Sequence, residues 1–454
     1  MPTLCLIALG CPKNIVESES MAGLLEAQGV ALTTDIALAD YALVHTCSFI
    51  ADARGESVAM IRRLSRLKKQ GRLERLFVSG CFVQSEGKDV LRRFPEIDGC
   101  IGTGELERIR EFFDGASSRS RGFAAGARYI ETPAGGLLES PAPRLLSSSL
   151  PSAYLRLSEG CGHRCSFCII PRLRGKYRSR GMGSVVAEAR ALGQAGIREV
   201  NLIAQDTSCY GIDLYGRFAL AGLLKKLVKV RPLRWLRLMY AYPSAVTGEL
   251  MATIRDEAKI CKYLDIPLQH ASDRILRAMR RPAGVRKLVE RLKRNIPDIA
   301  LRTALIVGFP GESERDFAEL SDFVSEGWFE HLGVFEYSPY PGTAAARSGA
   351  QVPDAVKRER KKRLMLLQKK VVAENNRRRI GSVYEVFVES ARDAGACAGR
   401  AAFQAPEIDA RILFRGTARP GSFARVRIIG ARGYDMTGQQ IGGDDRPDGR
   451  EPLQ

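Results

Sequence analysis

Residues 159–168, EGCGHRCSFC, decide how the rest of the chain is read. Three cysteines, Cys161, Cys165 and Cys168, stand in C-x3-C-x2-C spacing directly after a strand-like run at residues 153–157. Three thiolates are one fewer than a closed tetrahedral site needs. A structural zinc site takes four ligands and leaves no open position, whereas a four-iron cubane held by three cysteines keeps one iron free for a small molecule. The rival is a zinc knuckle with His163 as fourth ligand. His163 lies two residues from each flanking cysteine, an awkward spacing for four donors to meet on one tetrahedron.

Downstream of the motif, apolar runs alternate with helical patterns to about residue 338. Strands are predicted at 153–157, 199–203, 235–239, 263–266, 300–307 and 332–337. Six βα units predict an incomplete parallel barrel with its site at the carboxyl ends of the strands. Polar residues gather there: Gln205 and Asp206 after the second strand, Gln269 and His270 after the fourth, and GFPGE, residues 308–312, after the fifth.

Upstream, residues 1–113 carry strand patterns at 4–9, 41–45 and 76–79, with helical patterns at 15–27, 53–69 and 85–93. This predicts an α/β domain with an open parallel sheet, whose ligand sites lie beyond the carboxyl ends of the strands. Cys11, Cys47 and Cys81 each follow one strand, 36 and 34 positions apart, so the topology brings them to one sheet edge. They are the candidate ligands of a second cluster. Gly10 and Gly80 precede two of them and permit close backbone approach. A free cysteine is usually a small buried hydrophobe, and Cys5 and Cys100 read that way. Cys209, in the loop AQDTSCYG near the predicted site, joins neither trio, nor do Cys261 and Cys397.

Residues 114–149 are rich in Gly, Ala, Ser and Pro and read as a linker, with one short strand near 128–130. Residues 150–379 form the core unit, ending in a basic connecting helix. Between 354 and 379 there are 11 Lys and Arg against 3 acidic residues, with Leu364, Leu367 and Val371 at helical spacing. A second basic segment, 274–294, has nine positive residues and one negative. Residues 380–447 form the last unit, with strand patterns at 383–389, 399–403, 411–414, 423–429 and 434–440, a small antiparallel β-barrel. The tail from residue 442 is predicted to be disordered.

The net charge of +19 over 454 residues gives a positive field that attracts polyanions, RNA foremost. No apolar run reaches the ~18 residues of a membrane span, and the start, MPTLCLIALGC, lacks a basic leader region. The expected location is cytoplasmic, with cysteines reduced.

The segment EGC..RCSFC resembles the cluster motif of radical S-adenosylmethionine (SAM) enzymes. Three cysteines on an α/β domain, that motif on a partial barrel and a terminal β-barrel (TRAM-like) together resemble the methylthiotransferases. LGCPKN with Val16, Glu17, Ser18 and Glu19 after it resembles the branch acting on an aspartate of small-subunit ribosomal protein twelve. EGC..RCSFCIIPRLRG, AQDTSCYG, YLDIPLQH, RTALIVGFPGE and APEID resemble it too. The tRNA-modifying branch begins its first motif GCQMN, from which Pro12 and Lys13 depart. His45 and Gly162 stand where the ribosomal-protein branch has asparagine.

The resemblance implies two 4Fe-4S clusters, one on Cys161, Cys165 and Cys168 that cleaves SAM to a deoxyadenosyl radical, and one on Cys11, Cys47 and Cys81 that carries the sulfur. The radical removes hydrogen from the β-carbon of the aspartate, and a methylthio group bonds there, with no catalytic side chain. Asp206, Gln269, Gly308 and Gly311 are the implied SAM contacts. Implied partners are the ribosomal protein within its subunit, ribosomal RNA, and external electron and sulfur donors. The rivals are a tRNA adenosine methylthiotransferase and a non-catalytic, metal-containing RNA-binding protein.

Overall fold

The computed structural model describes residues 2–113, 128–132, 134, 144–392 and 395–445. Its amino-terminal sheet joins β1 (Thr3–Ala8), β2 (Ala31–Thr33), β3 (Tyr41–Thr46), β4 (Arg75–Gly80), β5 (Gly99–Ile101) and β6 (Arg128–Ile130). All are parallel, in the order β2-β1-β3-β4-β5-β6. Helices α1 (Pro12–Glu26), α2 (Ala51–Lys69), α3 (Cys81–Glu86) and α4 (Asp89–Arg93) connect them. The strands β2 and β5 were not expected, because three residues are too few to show a period. The helix expected over 85–93 is two short ones, parted at Gly87, which has φ +60°. The register pairs Ala8 with His45 and His45 with Ser79, so β1, β3 and β4 end level.

The linker expected over 114–149 lies mostly outside the described residues. Its short strand is β6, hydrogen-bonded to β5 as the edge of the first sheet.

The core sheet follows chain order: β7 (Ser152–Arg156), β10 (Glu199–Ile203), β11 (Trp235–Leu238), β12 (Ile260–Asp265), β13 (Ala300–Val307) and β14 (His331–Glu336), all parallel. A ribbon of β8 (Ser158–Glu159) and β9 (Arg178–Ser179) brackets the cysteine loop and α5 (Ile170–Arg174). The crossovers carry α6 (Met182–Gln194), α7 (Ile212–Tyr215), α8 (Leu220–Leu227), α9 (Gly248–Asp256), α10 (Asp273–Ala278), α11 (Val285–Asn295) and α12 (Glu314–Ser325). Apolar residues of α6, α8, α9, α10, α11 and α12 pack with the strands in one continuous core, while α7 buries none of its residues.

The basic helix α13 (Asp354–Arg378) lies along this core, but its buried stripe is not the one expected. Lys357, Arg360, Leu364, Gln368, Val372 and Asn376 are buried, while Leu367 and Val371 are only partly so. From Arg360 on the stripe repeats every four residues, and its two charges are held by carboxylates: Lys357 by Asp354, Arg360 by Glu312 and Glu314.

The last unit closes as β15-β16-β17-β19-β18, from β15 (Val383–Arg392), β16 (Ala396–Ala401), β17 (Ile412–Arg415), β18 (Phe423–Arg432) and β19 (Asp435–Asp445). Four seams are antiparallel, and β17 pairs β19 in parallel. An odd number of strands cannot alternate direction all the way round a closed barrel. The tail expected to be disordered from residue 442 is in β19 as far as Asp445, and residues 446–454 lie outside the described ones.

This barrel plugs the amino-terminal end of the core sheet. Phe387, Ala405 and Phe423 pack with Tyr154, Trp235, Cys261, Tyr263 and Ala300. Beside them, Asp409 of the APEID motif accepts from Arg302 (2.6 Å) and the Tyr263 hydroxyl (2.9 Å). With that end sealed, the carboxyl ends of the strands are left to face the first sheet.

Candidate active site

Both cysteine trios lie on that seam. Cys11 precedes the first turn of α1, Cys47 follows β3, and Cys81 opens α3 directly after β4. The Ser57 hydroxyl fixes the Cys47 peptide, accepting from its N–H (3.1 Å) and donating to its carbonyl (2.8 Å). Burial pushes the Cys81 thiol up to about 12, with Arg174 pulling the other way; the Cys47 and Cys11 thiolates, being close, add to the rise. Burial raises Cys47 too, and Cys11 adds to it. Gly10 has φ +93°, and a Cβ there would lie 2.6 Å from the Cβ of Cys47 and 3.0 Å from its Sγ. The neighbouring cysteine itself therefore demands this glycine.

Cys161, Cys165 and Cys168 occupy the loop between β8 and α5. Burial lifts the Cys161 thiol to about 11 and the Cys168 thiol to about 12, and in both the neighbouring cysteines of the loop contribute. The loop is pinned at both ends: the Cys161 N–H donates to the Gly175 carbonyl (3.2 Å), and the Ser166 N–H to that of Met279 (3.0 Å). Gly160, at φ +76°, lets the chain turn into Cys161 where a Cβ would stand 2.2 Å from the Lys176 carbonyl oxygen. Arg281 NH1 lies 3.8 Å from the Cys165 Sγ, its guanidinium over the ring of Tyr242.

Among the described residues, His163, Asp206 and Cys209 are the His, Cys, Asp or Glu group whose ligand atoms all fall within 4.8 Å of one another. Neither cysteine trio is drawn together that tightly, whereas sulfurs sharing one tetrahedral zinc at ~2.3 Å would be less than 4 Å apart. Ligands on separate irons of a cubane need wider spacing than that, and the three-thiolate donor set of each trio is the chemistry such a group takes. His163 is not turned toward the cysteines as a fourth ligand. Its Nε2 bonds Asp206 Oδ2 (2.7 Å), and its ring stacks on Tyr242, centroids 3.4 Å apart.

A buried ionic network ties the two trios together. Glu17 of α1 accepts from Arg156 NH1 (2.9 Å) and from Arg174, and Glu159, just before Cys161, accepts from Arg156 (3.0 Å). Arg174 NH2 also donates to the Asn14 side-chain Oδ1 (3.0 Å) and reaches the Cys81 Sγ (3.2 Å). His45 joins the network, with Nε2 on Glu17 and Nδ1 on Ser79, both 2.8 Å. Although burial alone would raise it, Arg174, His45 and Arg156 hold the Glu17 carboxyl well below the usual carboxylate range. Around the network, Cys81 packs on Ile169 and Leu173, and the Tyr340 hydroxyl meets Ser48 (3.2 Å) and Ser85 (2.6 Å).

The four expected SAM contacts lie at the carboxyl ends of β10, β12 and β13. Asp206 is buried, with its oxygens on His163, the Ser208 hydroxyl (2.7 Å) and the Cys209 N–H (3.1 Å). Gln269 has φ +76°, a strained value for a residue with a side chain, and its backbone bridges to β13. A Cβ on Gly308 would meet the Lys357 stem at 2.2 Å, while the space beside Gly311 is open. His270 is buried, accepts from the Ser272 N–H (3.0 Å), and by burial is held down at about 4. Gln205 donates to Glu159 (2.9 Å), and its Oε1, though buried, has no partner among the described residues.

Sequence reasoning missed Arg156, Glu159 and Arg174 as site residues. The signal available was position: Glu159 and Arg174 stand inside the quoted motifs, charged residues within a few positions of a cysteine.

Three family models match in order: Uncharacterized protein family UPF0004 at residues 3–102, Radical SAM superfamily at 155–324 and TRAM domain at 380–441. The radical S-adenosylmethionine methyltransferase TsrM of Kitasatospora setae, solved with cobalamin and a 4Fe-4S cluster bound, has a TM-score of 0.54 at 18% identity over 76% of each chain, a likeness of fold. The ribosomal protein uS12 methylthiotransferase RimO of Anaeromyxobacter sp. (strain Fw109-5) is 46% identical over 455 residues, 99% of this chain and 95% of that one. The proteins of the same name from Geobacter sulfurreducens and Pelotomaculum thermopropionicum are 46% and 43% identical, each over 96% of this chain and 98% of their own. With identity at this level along nearly its whole length, the chain belongs to the ribosomal protein uS12 methylthiotransferase family of SAM-dependent radical enzymes.

Proposed function

We propose that this enzyme adds a methylthio group to the β-carbon of an aspartate in ribosomal protein uS12, presented on the small ribosomal subunit in the cytoplasm. The observation that carries the reading is the pair of cysteine trios on one buried seam, with Arg174 bridging Cys81 of one and Glu159, two positions before Cys161 of the other. Cys161, Cys165 and Cys168 would hold one 4Fe-4S cluster, and Cys11, Cys47 and Cys81 a second. When bound, these groups supply the electron that cleaves SAM to a radical and the sulfur that is transferred.

The chain's own residues do the rest. Asp206 orients His163, Gln269 offers a side chain at the mouth, and Gly308 and Gly311 shape the turn where SAM would lie. An unactivated C–H bond is beyond any side-chain base, so the protein's task is to position the target and keep water away. Ile169, Leu173 and Tyr340 close the seam for that purpose. The exposed lysines and arginines of α13 face outward for ribosomal RNA, which explains how a chain of net charge +19 approaches a basic ribosomal protein. Binding to subunits is accordingly expected to weaken as salt is added. Electrons and replacement sulfur come from external donors.

Mass spectrometry of uS12 and of tRNA from cells lacking the gene tests the reading. The methylthio mass is expected to vanish from uS12 while tRNA adenosines are unchanged. Loss from tRNA with uS12 intact would assign the enzyme to tRNA instead.

A further inference from the structure

Lys13 stands two positions after Cys11, in the first turn of α1, and is only 8% exposed. Among the described residues its Nζ has no hydrogen-bond or ion-pair partner; it lies 3.1 Å over the centroid of the Tyr240 ring. A ring face recovers only a small part of what an ammonium loses on leaving water. The nearby carboxylates are committed elsewhere. Glu159 is taken by Arg156, Arg174 and Gln205, and Asp265 accepts from the Tyr240 N–H (3.2 Å). Tyr240 is itself held at φ +61°, a strained backbone for a residue with a side chain. The seam therefore contains a buried amine that no carboxylate contacts directly among the described residues, beside the trio assigned to sulfur delivery.

We infer that Lys13 receives the side-chain carboxylate of the substrate aspartate. This rests on the aspartate reading above. The acceptor carbon is bonded to the carboxyl carbon, so a substrate seated for transfer from the Cys11 side brings its carboxylate within reach of that side of the seam. Among the described residues, Lys13 is the donor there with no hydrogen-bond or ion-pair partner. The contact is an ammonium donating to a carboxylate; no bond is made or broken in it. It makes Lys13 a specificity residue: a neutral amide at the same position would leave the ammonium unpaired.

The test is binding of the reconstituted full-length enzyme to small ribosomal subunits assembled with uS12 carrying either the target aspartate or asparagine in its place. The wild-type enzyme is expected to favour the aspartate form by at least about thirtyfold, as losing one partner of a buried charge pair implies. Lys13→Met should bind both forms alike with iron and sulfide content unchanged, and Lys13→Arg should keep most of the preference. A Lys13→Met enzyme that retains the preference overturns the inference. One that loses iron or sulfide also overturns it, because the ammonium would then serve the cluster. A wild-type enzyme indifferent to the two forms overturns the aspartate reading itself.

Discussion

Arg174→Leu is expected to strip iron from the Cys11, Cys47 and Cys81 trio and to destabilise the fold by about 3–5 kcal/mol. The side chain is 2% exposed and, alone among the described residues, touches a cysteine of one trio, two carboxylates flanking the seam and Asn14. Removing it leaves Glu17 and Glu159 sharing Arg156, so one buried negative charge goes uncompensated. That charge would stand next to three thiolates that must stay deprotonated to bind iron. Iron content and urea-induced unfolding followed by circular dichroism check this. Arg174→Lys should recover part of the stability but little of the iron, since an ammonium cannot fork among Glu17, Asn14 and Cys81. Full iron content and unchanged unfolding in Arg174→Leu would show that the network is not what joins the two domains.

Glu199→Ala is expected to cost a similar ~3–5 kcal/mol, with the carboxy-terminal barrel the first part to come loose. Glu199, the first residue of β10, accepts from Arg400 of the barrel (2.6 and 3.1 Å), from Arg237 (3.1 Å) and from the Ser152 hydroxyl (2.7 Å). Without it, two buried guanidiniums face each other. Limited proteolysis should then cut near residue 380 in the variant well before the wild type. The pH dependence has a definite sign. Burial raises the Glu199 carboxyl, but Arg400 and Arg237 outweigh it and bring it to about 2 from an ordinary 4.5. The folded state therefore binds this proton less readily than the unfolded chain. Its contribution to stability is complete above about pH 4.5 and is lost as the pH falls toward 2. The wild type should lose this share of its stability in that window, and Glu199→Ala should show a shallower acid slope.

Much of the fold was legible because it is written in local periodicity. Strands β10 and β13 fall where apolar runs placed them, and the cysteines reach one sheet edge because each follows a parallel strand of equal extent. Helix α1 was not legible in the same way. An amphipathic pattern assumes one wet face, yet Lys13, Asn14, Glu17, Ser18, Glu19 and Ser20 are all buried, because the core domain covers the side that the first sheet leaves open. Its polar residues are satisfied by partners far along the chain, such as Arg156 and Arg174, 139 and 157 positions from Glu17. No local rule finds such pairs. The stripe on α13 misled for a related reason: Lys357 and Arg360 read as surface charges, and only the fold supplies the carboxylates that let them be buried. His45, a departure from the family pattern, has a partner in Glu17, so the substitution is absorbed by the network.

The central claim is that six cysteines form two separate trios, each gripping its own cluster. Iron and acid-labile sulfide in anaerobically reconstituted protein, measured beside the triple variants Cys11→Ala/Cys47→Ala/Cys81→Ala and Cys161→Ala/Cys165→Ala/Cys168→Ala, tests it most directly. Each triple variant is expected to keep about half of the wild-type iron and sulfide. A variant that keeps all of it, or either variant that loses all of it while remaining folded, would contradict the account.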